Sequence, residues 1–265
     1  MTVEAGFHKA NKNAPGEWIV QRLLIKPSLR RAFGGIYAAI DPAALRLRKP
    51  APYPVIFCMT HSGWYDGYIA SVLNERVFHH DDYLMMEEAN LARYFFFTWM
   101  GVFGVDRENV RSALASIEYI SEVLSEGENR SLFMFPQGTM RHPDARPIKL
   151  YSGIATIARK VGKCAIVPMA IRYDFLMEQA PDAFVRLGAP VMVDTDKRPV
   201  NARELTNHLT DVLTKTADRL HADISAYNRE PYRLVMSGRG SINKTWDGIL
   251  KIVGKAKRAL SGVRG

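Results

Sequence analysis

At 265 residues, with 47% hydrophobic and 24% charged content, the chain has a globular composition that excludes a disordered or fibrous protein and suits one large domain. Its net charge of +9 divides into +6 over residues 1–50, −4 over 51–228 and +7 over 229–265. Basic ends around a mildly acidic body call for an anionic surface as partner, either phospholipid headgroups or nucleic acid. No stretch reaches the ~18 uninterrupted apolar residues of a membrane span, and residues 1–18 lack the apolar core of a secretory signal, so neither spanning nor that route of export is expected. Cys58 and Cys164 lie in apolar runs; they read as small buried hydrophobes in a reducing compartment.

In chain order, the first pattern is the stretch 17–41, which mixes Trp18, Leu23, Leu24, Ile25 and Phe33 with Arg22, Lys26, Arg30 and Arg31. It reads as a basic amphipathic helix that Pro27 kinks or splits. Short apolar runs at Tyr53–Thr60, Tyr83–Met86, Ser131–Phe135, Cys164–Tyr173 and Phe184–Val193 are predicted strands, mostly continuous in hydrophobicity, as strands covered on both faces are. Helical spacing marks 109–126, with Gly127 at its end, Ser152–Val161, with Gly162 after it, and 203–226. Strand and helix alternation predicts an α/β fold with a largely parallel sheet covered by helices.

Composition shifts near residue 229, which divides the chain into a body of 1–228 and a basic C-terminal segment of 229–265. A helical wheel there gathers Trp246, Ile249, Leu250, Val253, Ala256 and Leu260 on one side and Lys244, Lys251, Lys255 and Arg258 on the other. Such a helix either lies in the headgroup plane of an anionic membrane or packs on the protein's own core. With no nucleic-acid reading motif in the chain, a membrane surface is the favoured partner.

Three segments carry candidate chemistry. The first strand runs into His61, with Asp66 five residues on. Five residues do not share a helical face, so the two side chains meet only if His61 sits on a loop and Asp66 in a helix's first turn. A carboxylate on one imidazole nitrogen then fixes the tautomer and leaves the other nitrogen to accept a proton. The second segment ends an apolar run with Asp106 and Arg107, where Arg binds phosphate bidentately or Asp caps the helix beginning near Asn109. The third breaks a strand at Pro136 and turns at Gly138 and Thr139, with Arg141 beyond, a place where backbone N–H groups hold phosphate or an oxyanion. The run Tyr94–Met100 lines an acyl channel or packs in the core. His79, His80, Asp81 and Asp82 read as a solvated loop and not a metal site, since adjacent residues point apart.

Taken in order, these segments resemble the motifs of the glycerophospholipid acyltransferase family, typified by the bacterial 1-acyl-glycerol-3-phosphate acyltransferases. The family's His, four residues, Asp matches His61 and Asp66. Its apolar run ending Asp-Arg matches Gly101, Phe103, Val105, Asp106 and Arg107. Phe-Pro-Glu-Gly-Thr matches Phe135, Pro136, Gly138 and Thr139, and a strand around proline matches Ile166, Val167 and Pro168. The resemblance spans roughly residues 53–195.

It implies acyl transfer from acyl-CoA or acyl carrier protein to a lipid hydroxyl, with no cofactor or metal, at the cytoplasmic face of a membrane as a peripheral protein. His61 is then the general base and Asp66 orients it, while Arg107, Gln137, Gly138, Thr139 and Arg141 bind the acceptor. Gln137 stands where the family has Glu and carries no negative charge, which keeps glycolipids and glycosylated carotenoids open as acceptors beside lysophospholipids. A noncatalytic lipid-binding protein of the same fold and a thioesterase are the rival readings. A Gly-x-Ser-x-Gly elbow, a Walker loop, a dinucleotide fingerprint and a paired-histidine zinc helix are all absent from the sequence.

Overall fold

The computed structural model describes residues 6–176 and 179–238. Asn13 starts α1 (Ala14–Ile19) by accepting a hydrogen bond from the Gly16 N–H, as an N-cap does. A π-helical stretch (Val20–Ile25) joins it to α2 (Lys26–Ala32). Pro27 therefore does not split the helix: the wider π turn just before it absorbs the missing N–H and the ring's clash with the preceding turn.

The residues that follow, expected within the amphipathic stretch, form β1 (Gly35–Ile40), and the short α3 (Pro42–Leu45) comes next. Then come β2 (Val55–Met59), α4 (Asp66–Leu73), β3 (Asp81–Glu87), α5 (Glu88–Arg93), a 3-10 turn (Phe95–Met100) and β4 (Val102–Val105). The second half contains α6 (Val110–Glu126), β5 (Arg130–Met134), α7 (Gly153–Val161), β6 (Lys163–Asp174), β7 (Asp182–Leu187), β8 (Val191–Asp194), α8 (Ala202–Ser225) and β9 (Arg233–Ser237).

The strands make one sheet in the order β4-β3-β5-β2-β6-β7-β1-β9, with β8 also paired to β6. The β4-β3-β5-β2-β6 run is parallel throughout, as is β1 with β7, while β7 and β8 on β6 and β9 on β1 are antiparallel. This is the predicted largely parallel α/β architecture. The predicted single strand Phe184–Val193 is two, β7 and β8, both lying along β6. The ladder breaks opposite Pro168, which has no N–H to give, and there the Gly188 N–H donates to the Pro168 carbonyl at 3.0 Å.

Each face of the sheet buries its own core. Val55, Phe57 and Met59 of β2 pack with Ile25, Leu29, Ile69 and Leu73. Ile56 and Cys58 pack on the other side with Ile120, Leu124, Ile157 and Leu213. A strand covered on both faces has no polar side to show, which is why β2 is apolar without alternation. Residues 233–237 lie past the composition shift at 229 and still complete the sheet as β9. The basic amphipathic pattern of 244–260 falls outside the described residues.

The parallel run decides where the chemistry collects. β2, β4, β5 and β6 end on one edge of the sheet, and His61, Asp106–Arg107, Pro136–Gly138 and Tyr173 sit at or just past those ends. In open α/β sheets this carboxyl edge is where ligands bind.

Candidate active site

His61 leaves β2 on a loop, and Asp66 occupies the first turn of α4, as the spacing required. The His61 Nδ1–H donates to Asp66 Oδ2 at 2.9 Å. The same oxygen accepts from the backbone N–H of Ser62 at 2.7 Å and of Gly63 at 2.9 Å. Oδ1 accepts from the Tyr173 hydroxyl. Asp66 is fully buried, so these donors replace the water that a carboxylate would otherwise need. The imidazole stacks on Phe135, with ring centroids 4.2 Å apart, and it borders the cavity. With Nδ1 committed to Asp66, Nε2 is the nitrogen left to take a proton.

The cavity holds about 1120 Å³ and is lined at this end by His61, Trp64, Arg107, Gly138, Thr139 and Tyr151. Gly138 has φ +72°, and a Cβ there would collide with the Arg107 guanidinium and stand 2.7 Å from the Tyr151 ring. Glycine is favoured at this turn by its left-handed backbone angle. Asp106 Oδ1 accepts from the N–H groups of Glu108 and Asn109 and closes the turn before α6, whose N-cap is Asn109 and not Asp106. Arg107 is exposed at the mouth.

From there the cavity continues along β3 and α4, past Leu84, Met86, Gly67 and Tyr68, to Ser71 and Asp82. Of the aromatic run, Tyr94, Phe97 and Met100 line it, while Phe95 points outward and Phe96 and Trp99 pack against the core.

Two residues expected to bind the acceptor stand elsewhere. Gln137 does not line the cavity: its Oε1 accepts from the His61 backbone N–H at 2.8 Å. Arg141 is exposed outside the cavity lining, and its backbone N–H donates to the His61 carbonyl at 2.8 Å. Both hold the His61 loop from either side of its peptide. Tyr173, which is as close to the pair as any of these, was not singled out from the sequence. It lies 107 residues from Asp66 at the end of a predicted strand, and only the β2–β6 pairing brings the two together.

The expectation of a solvated loop at 79–82 holds only for His79 and Asp81, which are exposed. His79 adopts a left-handed conformation, and His80 is buried, with Nε2 on the Leu47 carbonyl at 2.8 Å. Asp81 and Asp82 begin β3. Burial pushes the His80 imidazole below its ordinary pKa and the Asp82 carboxyl up to about 7, with the neighbouring Lys12 opposing the second shift. Among the described residues no group of three or more His, Cys, Asp or Glu side chains is placed to hold a metal ion.

Residues 46–172 match the family model described as Acyltransferase, a range that contains all four motif segments. Among solved structures the chain is similar to the 1-acyl-sn-glycerophosphate (LPA) acyltransferase PlsC from Thermotoga maritima, at 16% identity and a TM-score of 0.45, over 69% of this chain and 72% of that one. No curated protein matches the chain.

Proposed function

We propose, from the match of residues 46–172 to the acyltransferase family model, that this protein moves a fatty acyl group from acyl-CoA or acyl carrier protein to a lipid hydroxyl. The observation that carries the reading is the His61–Asp66 pair at the cavity wall, with Nδ1 bound to Asp66 at 2.9 Å. His61 Nε2 takes the proton of the acceptor hydroxyl as its oxygen attacks the thioester carbonyl. The tetrahedral intermediate then expels the thiolate, which recovers the proton from the imidazolium. No covalent enzyme intermediate is needed.

Arg107 at the mouth favours an acceptor with a phosphate, such as 1-acyl-glycerol-3-phosphate, since a guanidinium forms paired hydrogen bonds to phosphate oxygens. Gln137 does not argue against that acceptor, because its amide is turned to the His61 backbone and away from the cavity. The apolar stretch between β3 and α4 suits a fatty chain.

Access from a lipid surface fits the exterior. Trp18, Leu23, Trp64 and Phe95 are 62%, 67%, 60% and 45% exposed, and Arg22, Arg30 and Arg31 are exposed on the same N-terminal helical segment. Apolar side chains that enter the headgroup region beside cations are how a peripheral protein docks on an anionic membrane. Among the described residues no helix is long and apolar enough to cross a membrane.

The test is thiol release from acyl-CoA and from acyl carrier protein by purified protein, with and without lysophospholipid and glycolipid acceptors. Release that depends on a phosphate-bearing acceptor and yields its acylated product supports the reading. Release at the same rate without acceptor makes the protein a thioesterase, and lipid binding without release from either donor makes it a noncatalytic binder.

A further inference from the structure

The Asp66 carboxylate is loaded unevenly. Oδ2 takes three hydrogen bonds, from His61 Nδ1 and from the Ser62 and Gly63 backbones. Oδ1 takes its bond from the hydroxyl of Tyr173. All three donors on Oδ2 come from the loop that carries His61, so they move with that loop. Tyr173 comes from a different element, the end of β6.

The frame around that hydroxyl is built independently of it. The Ile171 N–H of β6 donates to Thr60 Oγ1 at 3.0 Å, and Ser62 Oγ donates to the Ile171 carbonyl at 3.3 Å. These bonds tie the His61 loop to β6 two residues before Tyr173. The Tyr173 ring stacks on Phe33, with centroids 5.1 Å apart and planes at 21°, and Phe33 meets Tyr65 edge-on at 5.3 Å. The ring also lies against Gly63, where a Cβ would stand 2.6 Å from Tyr173 Cε2. The loop between His61 and Asp66 therefore has glycine where any side chain would push the phenol away from Asp66.

We propose that Tyr173 is a positioning residue of the His61–Asp66 pair, its hydroxyl fixing the plane of the Asp66 carboxylate so that Oδ2 faces His61 Nδ1. The inference rests on the reading of that pair as the proton-transferring machinery. Donors drawn from the His61 loop alone leave loop, carboxylate and imidazole free to shift together. A second donor from a separate strand removes that freedom before substrate arrives, the kind of support that an orienting carboxylate needs.

The phenol is suited to the task. Burial, and then the neighbouring Asp66 carboxylate, push its pKa far up, so it remains an O–H donor at every working pH. The titratable groups against it are Asp66 and the Tyr65 phenol. By taking part of the carboxylate's charge, the hydroxyl also weakens the pull of Asp66 on a protonated imidazole.

The decisive variant is Tyr173→Phe, which keeps the ring stack and deletes the hydroxyl. The expected result is a kcat lower by roughly tenfold, as for loss of a hydrogen bond to a charged group, with the KM for donor and acceptor within about twofold of wild type. The acid limb of the kcat–pH profile moves to higher pH, because the carboxylate then holds the imidazolium more tightly. A residue that only filled space would not move that limb.

Gly63→Ala, which displaces the ring, gives the same signature by another route. In an Asp66→Ala background, Tyr173→Phe causes no further loss, since the two side chains act as one unit. Wild-type kcat and pH profile in Tyr173→Phe, or a full additional loss in the Asp66→Ala background, overturns the proposal. His61→Ala run alongside separates the two levels: retained activity there overturns the functional reading itself, whereas an inactive His61→Ala beside a normal Tyr173→Phe overturns only the role of Tyr173.

Discussion

Gln137 offers a test in which the structure and the motif resemblance point to different outcomes. As an acceptor-binding residue it would contribute to KM. The structure places its Oε1 2.8 Å from the His61 backbone N–H instead. Replacing Gln137 with Leu keeps the bulk and removes the acceptor, leaving a partly buried N–H with no partner at the base of the His61 imidazole. An orphaned donor costs about 1–3 kcal/mol, and at about 1.4 kcal/mol per factor of ten the loop relieves that cost by shifting His61 at the expense of roughly 5- to 100-fold in kcat.

Gln137→Glu keeps an oxygen in place, with a charge-assisted bond to the same N–H, and is expected to stay within a few-fold of wild type. The assay is steady-state thiol release with acceptor titrated at saturating donor, on all three proteins. A Gln137→Leu protein with unchanged kcat and a raised acceptor KM would refute the reasoning and return Gln137 to the acceptor site.

Two further predictions concern stability and docking. The Asp82 carboxyl is raised to about 7 in the folded chain from an ordinary value of 3.8, so between about pH 4 and 7 the folded state binds more protons than the unfolded one and stability falls as pH rises. Asp82→Asn removes that slope, and thermal unfolding of the variant between pH 5 and 8 is expected to vary less than that of wild type; parallel curves would contradict the burial of this carboxyl. Trp18→Glu with Leu23→Glu places two charges on the exposed apolar face of the N-terminal helix and is expected to weaken binding to anionic liposomes by roughly tenfold or more, given ~1.5–3 kcal/mol for full burial of one such side chain. Unchanged co-sedimentation with liposomes would move the docking surface elsewhere.

What could be read from the sequence follows the range of the interactions concerned. The helices α6, α7 and α8 were legible because their periodicity and ends are local: Asn109 accepts from the Ser112 N–H, and Gly162 takes a positive φ of 83° after α7. The strands β2 and β6 were legible because burial on both faces leaves continuous apolar runs. β1 was not, since Gly35–Ile40 adjoins an amphipathic helix and its small residues carry no alternation. Nor was β9, an edge strand whose Arg233 and Leu234 are exposed and whose pairing with β1 is far away in sequence.

The same division holds at the site. His61 and Asp66 stand five apart and fall on a loop and the first turn of α4, a geometry that the spacing itself demanded. Tyr173 reaches them only through strand pairing. The orientation of Gln137 toward a backbone N–H is set by the turn at Pro136–Gly138 and has no counterpart in residue type. His79–Asp82 read as solvated from composition, yet His80 is buried with its Nε2 on the Leu47 carbonyl and Asp82 is half-buried in the cavity wall, contacts that lie outside any local window.

The most direct test of the central claim is acceptor-dependent thiol release by His61→Ala beside wild type, with both proteins checked for equal folding by thermal unfolding. The account predicts that the variant loses roughly 10²- to 10⁴-fold in rate, the usual contribution of a general base, while still binding liposomes. Acceptor-dependent release at the wild-type rate from a folded His61→Ala protein would contradict it.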